Sequence, residues 1–500
     1  MATRNIEWNE KLKNIWDKIF YSLDTNIHKT DAEQNNYIEN MIKNESSLTE
    51  NEMNFLFNKL QRAYNTLRIE GNSVEKQQCN NCQNWHQATH HCEFCIRKYL
   101  ENDFGNWASG NNEINKLIQE CQKKTIAPDI VIEWIEYDQF ENIEHLTEGG
   151  CATIYTATWK DGGYDKWNSE RQTLERFGRQ KIVLKRLNNS NSNNVHWLQE
   201  VTLNFTLDNI FQFIAKCYGI TKDPSTQDYI LVLQYYDNDL RRFLEDNFHS
   251  LTLLQKYKII SKITHSLAKI HSQNIIHRDL HSGNILYNSR NFAWYINDLG
   301  LSGPVDKPSN SVYGNLPYIA PEVICGEIYT TKSDIYSLGI IMWEVITGES
   351  PYDDYDYEHD SELAIDIVRG FRPKIYEYIP HEYVTLMKQC WDANPDNRPD
   401  ANIVWEKMRL STNSLYNEMD KQQEPAIQLK SLKSKVKNYF KLKSIKDEND
   451  QVTKNKQLSK YTKSKIYRIQ NNKVYTFNIK PRNATDDSYN HHKVSKDNNN

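Results

Sequence analysis

The chain has 500 residues, 38% hydrophobic and 25% charged, with 61 Lys+Arg against 66 Asp+Glu for a formal net charge of −5. That balance excludes a polycation coating nucleic acid, and since no run approaches about 18 apolar residues, no transmembrane helix is expected. Nine cysteines over this length point to thiols or metal ligands, not a disulfide framework, and about 150 residues per domain suggests roughly three domains.

The opening MATRNIEWNEKLKN lacks the apolar core of a secretory signal, so an intracellular chain is expected, cytoplasmic, with the nucleus left open. Thr49 and Glu52 have capping-box spacing. They open a helix that carries Met53, Leu56, Leu60, Ala63, Tyr64 and Leu67 on one face, and a segment around Ile15–Leu23 can pair with it as a helical hairpin. Residues 1–70 therefore read as a helical region.

Residues 79–95, CNNCQNWHQATHHCEFC, follow C-x2-C-x9-C-x2-C. Each x2 spacing brings two thiolates onto one ion through a tight turn, so Cys79, Cys82, Cys92 and Cys95 suit a tetrahedral zinc site in a small module over 71–105. His86, His90 and His91 are candidate substitutes for one cysteine, and a disulfide pair or free, redox-active thiols are the alternatives to zinc. The nine-residue loop is too short for a DNA-reading finger helix. The module reads as a structural staple with a protein partner, without sequence-specific contact to nucleic acid. Residues 106–139 follow as a linker, with a capped helix over Asn106–Lys123 and a short strand over Ile130–Tyr137.

Between 140 and 410, five short β-rich runs, among them Lys181–Leu187 and Tyr229–Tyr235, precede amphipathic helices such as Leu253–His271. Strands first and helices after predict an α+β domain of two lobes. The segment DGGYDKWNSERQTLERFGRQ after Trp159 is long for a strand connection and reads as a solvated loop, in preference to a partner-binding one. Tyr336–Ile346, the most membrane-like run, is too short and carries Glu344. Residues 411–500 hold 19 Lys+Arg and 9 Asp+Glu, a net +10 that leaves −15 for the body. This Lys/Asn/Ser-rich stretch reads as a mostly disordered basic tail, relieved by β-leaning runs at Ile466–Ile469 and Val474–Ile479 that suit a hairpin.

The strongest chemical signal is HRDLHSGNIL at 277–286. It sets Asp279, able to accept a hydroxyl proton, on one loop with Asn284, whose amide oxygen can hold a hard divalent cation. Asp298 follows in NDLG, a carboxylate on a Gly-hinged turn suited to Mg²⁺ beside triphosphate oxygens. Upstream, Lys185 sits centrally in the strand KIVLKRL, and Glu200 on a helix in HWLQEVTL can orient its ammonium.

Together HRDL-x3-N, DLG, VLK and YIAPE (318–322) resemble the protein-kinase signature set. SDIYSLGIIMWE, GFRP and QCW-x6-RP add to the likeness, and the last two, with GNLPYIAPE, are similar to the tyrosine-kinase-like group, most of which phosphorylate Ser or Thr. The resemblance covers 140–410 and implies a two-lobed kinase fold, a β-rich N-lobe and an α-rich C-lobe, using ATP and Mg²⁺ on protein substrates. It implies that Lys185 binds the α/β-phosphates and pairs with Glu200, that Asp279 is the catalytic base, and that Asn284 and Asp298 hold Mg²⁺. It further implies that Leu233 gates the adenine pocket beside a hinge of Gln234, Tyr235 and Tyr236, that Glu322 pairs with Arg398, and that Asp334 anchors the catalytic loop.

Three features depart from the family pattern. LTEGGCATIY (146–155) stands where G-x-G-x-x-G is expected: Gly149 aligns with a motif glycine, Gly150 adjoins it, and Thr147, Cys151 and Ala152 reduce the close approach that glycine permits. His281 replaces the lysine that usually contacts the γ-phosphate, and Asn204 replaces an apolar residue one turn after Glu200. Slower phosphoryl transfer is expected, and the alternative is a pseudokinase-like scaffold that binds nucleotide weakly and acts through protein–protein interaction. GNLPYIAPE lacks the basic-plus-tryptophan segment of tyrosine kinases, which favours Ser/Thr specificity. Arg278 can bind a phosphate on Ser302, Ser309, Ser311 or Tyr313. Cys121, Cys217, Cys325 and Cys390 read as core residues, and Cys151 as a reactive thiol beside nucleotide.

Overall fold

The computed structural model describes residues 6–71, 76–88, 91–149, 152–191, 196–208, 213–304, 314–353, 360–428 and 480–483. Gly150, Cys151, His90, Ser309, Ser311, Tyr313, the tail hairpin and the side chains of Ala63, Tyr64 and Leu67 lie outside that set.

Three helices, not a hairpin of two, open the chain: α1 (Glu10–Ser22), α2 (Asp31–Asn44) and α3 (Glu50–Gly71). Side-chain caps fix each start, with Asn9 accepting from the Leu12 amide, a Thr30/Glu33 capping box, and the expected Thr49/Glu52 pair before α3. Leu12, Ile19, Ile42, Leu56 and Leu60 fill the space between them, with Trp8 and Trp16 at its edge.

Next, β1 (Gln77–Gln78) and β2 (Trp85–His86) form a short antiparallel hairpin whose turn carries Cys79 and Cys82. Cys92 is the N-cap residue of α4 (Glu93–Asn102), and Cys95 lies in its first turn. α5 (Asn112–Lys124), capped by Asn111, leads to β3 (Glu133–Trp134), which joins the edge of the main sheet. The linker is thus built into the N-lobe.

The sheet continues with β4 (Phe140–Glu148) and β5 (Ala152–Trp159); β6 (Tyr164–Asn168) and β7 (Thr173–Arg176) form a separate hairpin, and β8 (Gln180–Leu187) returns to the sheet. Helix α6 (His196–Asp208) crosses over before β9 (Cys217–Lys222) and β10 (Tyr229–Gln234) complete six strands in the order β3-β9-β10-β8-β5-β4. All pairs are antiparallel except β3 with β9. One face buries Ala157, Trp159, Ile182, Leu184, Ile230 and Val232. The other buries Leu187, Leu231 and Leu233 against Val201 and Phe205 of α6 and Ile114 and Ile118 of α5.

The β6–β7 hairpin overturns the expectation of a solvated loop. Its Leu174 packs with Ile96 and Leu100 of α4 and with Val131, Trp167 meets Tyr99 edge-on at 5.9 Å, and Asn81 donates to Gln172 at 2.7 Å. Behind it, Arg176 forms two bonds of 3.0 and 2.6 Å with the buried Glu133 carboxylate. The cysteine module therefore rests on the N-lobe through this hairpin.

The C-lobe contains β11 (Asn238–Asp239), α7 (Leu240–Asn247), α8 (Leu253–Ser272), β12 (Ile275–Ile276), β13 (Ile285–Asn288), β14 (Ala293–Ile296) and β15 (Gly303–Pro304). Helices α9 (Pro321–Ile324), α10 (Thr331–Thr347), α11 (Asp360–Val368), α12 (His381–Cys390) and α13 (Ala401–Gln428) follow. α10 is buried from Ser333 to Thr347, which explains its apolar run; among the described residues no helix is long and apolar enough to cross a membrane.

The tail boundary expected at 411 is also corrected, because α13 continues to Gln428 and buries Thr412 and Tyr416. Arg409, on this helix, donates to the carbonyls of Leu23 at 2.6 Å and Tyr21 at 3.2 Å. Asp17 of α1, buried between Lys258 at 2.6 Å and Lys13 at 3.0 Å, completes the contact. Burial alone would raise its pKa, but the two ammonium groups hold it below the ordinary value.

Candidate active site

Lys185 projects from β8 into the cleft, where alternation along the strand places Leu184 in the core on the opposite side. Its Nζ lies 2.6 Å from Glu200 Oε1 and 2.7 Å from Asp298 Oδ1. Burial works against the ammonium, yet Asp298 and Glu200 outweigh it and hold the Lys185 pKa above its ordinary value. Burial likewise lifts Glu200, with Lys185 opposing. For Asp298 the balance falls the other way: burial raises it, Lys185 and the Gly300 amide lower it, and its pKa settles at about 2. The backbone of Asp298 is left-handed, with φ of 62°, a conformation costly for a residue with a Cβ and held here by its surroundings.

The catalytic-loop candidates come together between β12 and β13. Asn284 Nδ2 donates to the Asp279 carbonyl at 2.9 Å and to Asp279 Oδ2 at 3.3 Å, which leaves its Oδ1 as the atom able to ligate a cation. Asp334 clamps the loop from α10, accepting from the His277 amide at 2.8 Å, the Arg278 amide at 2.9 Å and His271 Nε2 at 2.8 Å. The cleft reaches the sheet through Ile214, bridged to Ile296, and through Gln234, whose amide donates to Lys216 O at 2.9 Å. Leu233 is buried at the end of β10; Gln234 and Tyr235 begin the crossing between lobes, and the Tyr236 hydroxyl accepts from the Lys216 amide at 3.0 Å. The Gly149 amide donates to the Ala152 carbonyl at 2.8 Å, closing the neck of the altered Gly-rich loop.

The two other departures have distinct structural roles. His281 Nδ1 accepts from the Gly283 amide at 3.1 Å, so the neutral ring carries its proton on Nε2, 3.8 Å from Asp279 Oδ1. Burial lowers the His281 pKa while Asp279 raises it, with a net fall. Asn204 is buried and bonds the carbonyl of Glu200 at 2.9 Å, satisfying its amide within α6.

Among the phosphosite candidates, Ser302 is buried and donates to the His277 carbonyl at 3.0 Å, so its hydroxyl is already used in holding the loop. Gly314, with φ of 114°, passes so close that a Cβ there would sit 3.1 Å from Asp279 Oδ1. Glu322 and Arg398 form a buried two-pronged ion pair with both bonds at 2.7 Å.

The cysteine quartet forms a second centre. Its four sulfurs lie within 4.8 Å of one another, with Cys82–Cys92 at 3.5 Å and Cys79–Cys95 at 3.7 Å. Zinc–sulfur bonds of about 2.3 Å in a tetrahedron require sulfur separations of about 3.8 Å, and the Cys82–Cys92 and Cys79–Cys95 distances lie near that value. The Asn81 amide and the side chains of Asn81 and Asn84 point hydrogen-bond donors at three of the sulfurs, suiting thiolates. His86 and His91 bond the carbonyls of Ala88 and Ile126 instead, so neither substitutes for a cysteine here. Cys121, Cys217 and Cys390 are buried as expected, and Cys325 only partly.

Sequence reasoning did not find what positions α6. Cys121 of α5 lies 3.9 Å from the Phe205 carbonyl, and Gln199 donates to the Ser302 carbonyl at 3.1 Å, so one helix contacts both the linker and the segment after Asp298. The signal available was the apolar spacing of Ile114, Ile118 and Cys121.

Comparison with known proteins adds to this geometry. Residues 140–408 match the family model described as protein tyrosine and serine/threonine kinase. A putative serine/threonine-protein kinase/receptor of Acanthamoeba polyphaga mimivirus is 30% identical over 56% of this chain and 16% of its own length. The dual specificity protein kinase zakA of Dictyostelium discoideum is 32% identical over 40% of this chain and 28% of its own length. The probable serine/threonine-protein kinase roco8 of the same organism is 33% identical over 38% and 11%. The chain thus spans less than a third of the length of each of these relatives.

Proposed function

The chain belongs to the protein tyrosine and serine/threonine kinase family, and from that premise we propose that it transfers the γ-phosphate of Mg·ATP to Ser and Thr hydroxyls of protein substrates. The observation that carries this reading is the junction of Lys185, Glu200 and Asp298 at 2.6 and 2.7 Å, facing a loop that presents Asp279 and Asn284. The donor set fits the cofactor: Asp298, ionised down to about pH 2, and the Asn284 amide oxygen are hard oxygen ligands suited to Mg²⁺. Bound Mg²⁺ would neutralise phosphate charge as the transfer proceeds.

The chain's own residues do the rest. Lys185 releases Asp298 when a phosphate oxygen competes for its ammonium, while Glu200 keeps that ammonium in place. Asp279 accepts the proton of the incoming hydroxyl, and His281, whose Nε2 lies 3.8 Å from the same carboxylate, is its polar neighbour. Leu233, Gln234 and Tyr235 receive the adenine, and Gly149 with Gly150 covers the phosphates. Relatives named as serine/threonine kinases support the hydroxyl class. In the second centre, Cys79, Cys82, Cys92 and Cys95 would hold structural Zn²⁺, a reading supported by the sulfur spacing.

The test is γ-phosphate transfer by the wild type against Asp279→Asn, with phosphoamino-acid analysis of the product. We expect a loss of about 10²–10⁴-fold for the variant, and phosphoserine or phosphothreonine in the wild-type product. Equal incorporation by the two proteins would leave only the nucleotide-binding scaffold.

A further inference from the structure

The segment Lys480–Asn483, far along the chain from the end of α13, lies against the C-lobe. The Arg482 amide donates to the carbonyl of Val368 at 3.0 Å, one of the carbonyls that the C-terminus of α11 leaves without a helical partner. Asn483 uses both ends of its side-chain amide. Its Oδ1 accepts from the Ala393 amide at 2.6 Å, and its Nδ2 donates to Asp392 Oδ2 at 3.3 Å.

The receiving walls do not depend on the tail. Arg372, fully buried, donates to the carbonyls of Ile367 and Phe371 on one wall and of Trp391 on the other, at 2.9, 2.8 and 3.2 Å. The other Asp392 oxygen, Oδ1, is fixed by the Asn394 amide at 2.8 Å, so Oδ2 is presented in a set direction. Gly370, with φ of 101°, forms the floor; a Cβ there would stand 2.6 Å from the Asn483 carbonyl. The groove is shallow, leaving Lys480, Arg482 and Asn483 exposed and Pro481 half-buried, and is shaped for a passing backbone and one amide side chain.

We propose that this groove is a recognition site for an extended Pro-x-Asn peptide, with the chain's own Lys480–Asn483 as its reversible occupant. The chemistry defines the choice at each position. An aspartate in place of Asn483 would oppose its carboxylate to Asp392 and lose the donor. Pro481 restricts the backbone before binding and favours an extended residue ahead of it, which lowers the entropy lost on docking. Three hydrogen bonds and a half-buried proline form a small contact, and tethering supplies an effective concentration on the order of millimolar or below to keep it filled. Between the two attachment points, residues 429–479 carry 14 Lys+Arg and 3 Asp+Glu. Filling or emptying the groove therefore sets whether this cationic stretch is anchored at both ends or at one.

The test uses full-length protein and a fluorescein-labelled peptide spanning residues 476–486, read by anisotropy. The Asn483→Asp chain, whose own segment no longer competes, should bind the peptide about tenfold more tightly than the wild type. A peptide with the same Asn-to-Asp change should bind neither chain, and Asp392→Ala in the Asn483→Asp background should abolish binding. Equal affinity for both chains, binding by neither up to 1 mM, or equal binding of the two peptides would each overturn the proposal. Since no arm reads phosphate transfer, loss of the kinase reading would leave this result intact.

Discussion

Ile118→Ala tests whether the linker helix α5 supports catalysis through α6. Ile118 is fully buried in the cluster that also holds Val201 and Phe205, which lie on the helix carrying Glu200. The substitution removes three carbons from a dry site, about 2.4 kcal/mol of transfer free energy at about 0.8 per methylene. With the cavity included, the expected loss is about 2–5 kcal/mol, a fall in Tm of roughly 6–12 °C for about 3 kcal/mol in a domain of this size. Because α6 loses packing directly behind Glu200, the Lys185–Glu200 bond of 2.6 Å should be weakened well below the melting temperature. Steady-state transfer at 20 °C, with Tm by calorimetry, should show kcat/KM reduced about fivefold or more, a weakening of about 1 kcal/mol or more. In a Glu200→Gln background the same substitution should cost no further activity, since both changes act through one ion pair. An equal loss in both backgrounds, or a Tm drop with unchanged activity, would refute the coupling.

Glu322→Gln strands the Arg398 guanidinium in a fully buried site and should destabilise by about 3–5 kcal/mol; a urea-midpoint change worth under about 1 kcal/mol would contradict that. His265, stacked on Trp405 and packed against Phe213, has a pKa lowered to about 3, by burial first and then by Lys262 and Lys269. The unfolded chain then binds a proton below about pH 6.5 that the folded chain refuses until about pH 3. Its contribution should fade as pH drops through that window, by up to about 1.4 kcal/mol per pH unit. His265→Phe should flatten that part of the pH–stability curve, and an unchanged slope would show the group to be uninvolved. Metal analysis should find one zinc per chain, lost on Cys92→Ser with a fall in N-lobe melting temperature; full-length protein without zinc and with four reactive thiols would refute the site.

The candidate catalytic constellation was legible because each member stands in a short run with fixed neighbours: Lys185 in VLK, Asp279 and Asn284 in HRDLHSGN, Asp298 in DLG. The cysteine pairs were legible for the same reason, since two x2 spacings leave few geometries. Other elements depended on distant partners. The β6–β7 hairpin offers Trp167 and Leu174 to its neighbours, too few for an alternating pattern, and its complementary surface lies on α4. Helix α2 has a thin apolar stripe, with Ile42 buried and Ile38 and Met41 only partly. The end of α13 carries the composition of a tail, and its helix is used because Tyr416 packs beside Tyr21 at 6.3 Å. The Ser302 hydroxyl looked available until its bond to His277 placed it inside the loop. In each case burial against a remote segment outweighed local composition.

The bond from Arg409 to the Leu23 carbonyl joins residues 386 apart in sequence, and that separation has a consequence for synthesis. At about 5–20 residues per second, roughly 20–80 s pass between the emergence of α1 and that of its partner helix. During that interval the three N-terminal helices have their own small core, and α8 brings Lys258 to Asp17, but the helix that sets Tyr416 beside Tyr21 and Arg409 on the Leu23 carbonyl is still missing. The cysteine module waits far less, because its hairpin seat follows within about 100 residues, roughly 5–20 s at the same rate. A nascent chain stalled before α13 would therefore carry a formed upper lobe and an incompletely covered helical bundle, the species on which a holdase would act.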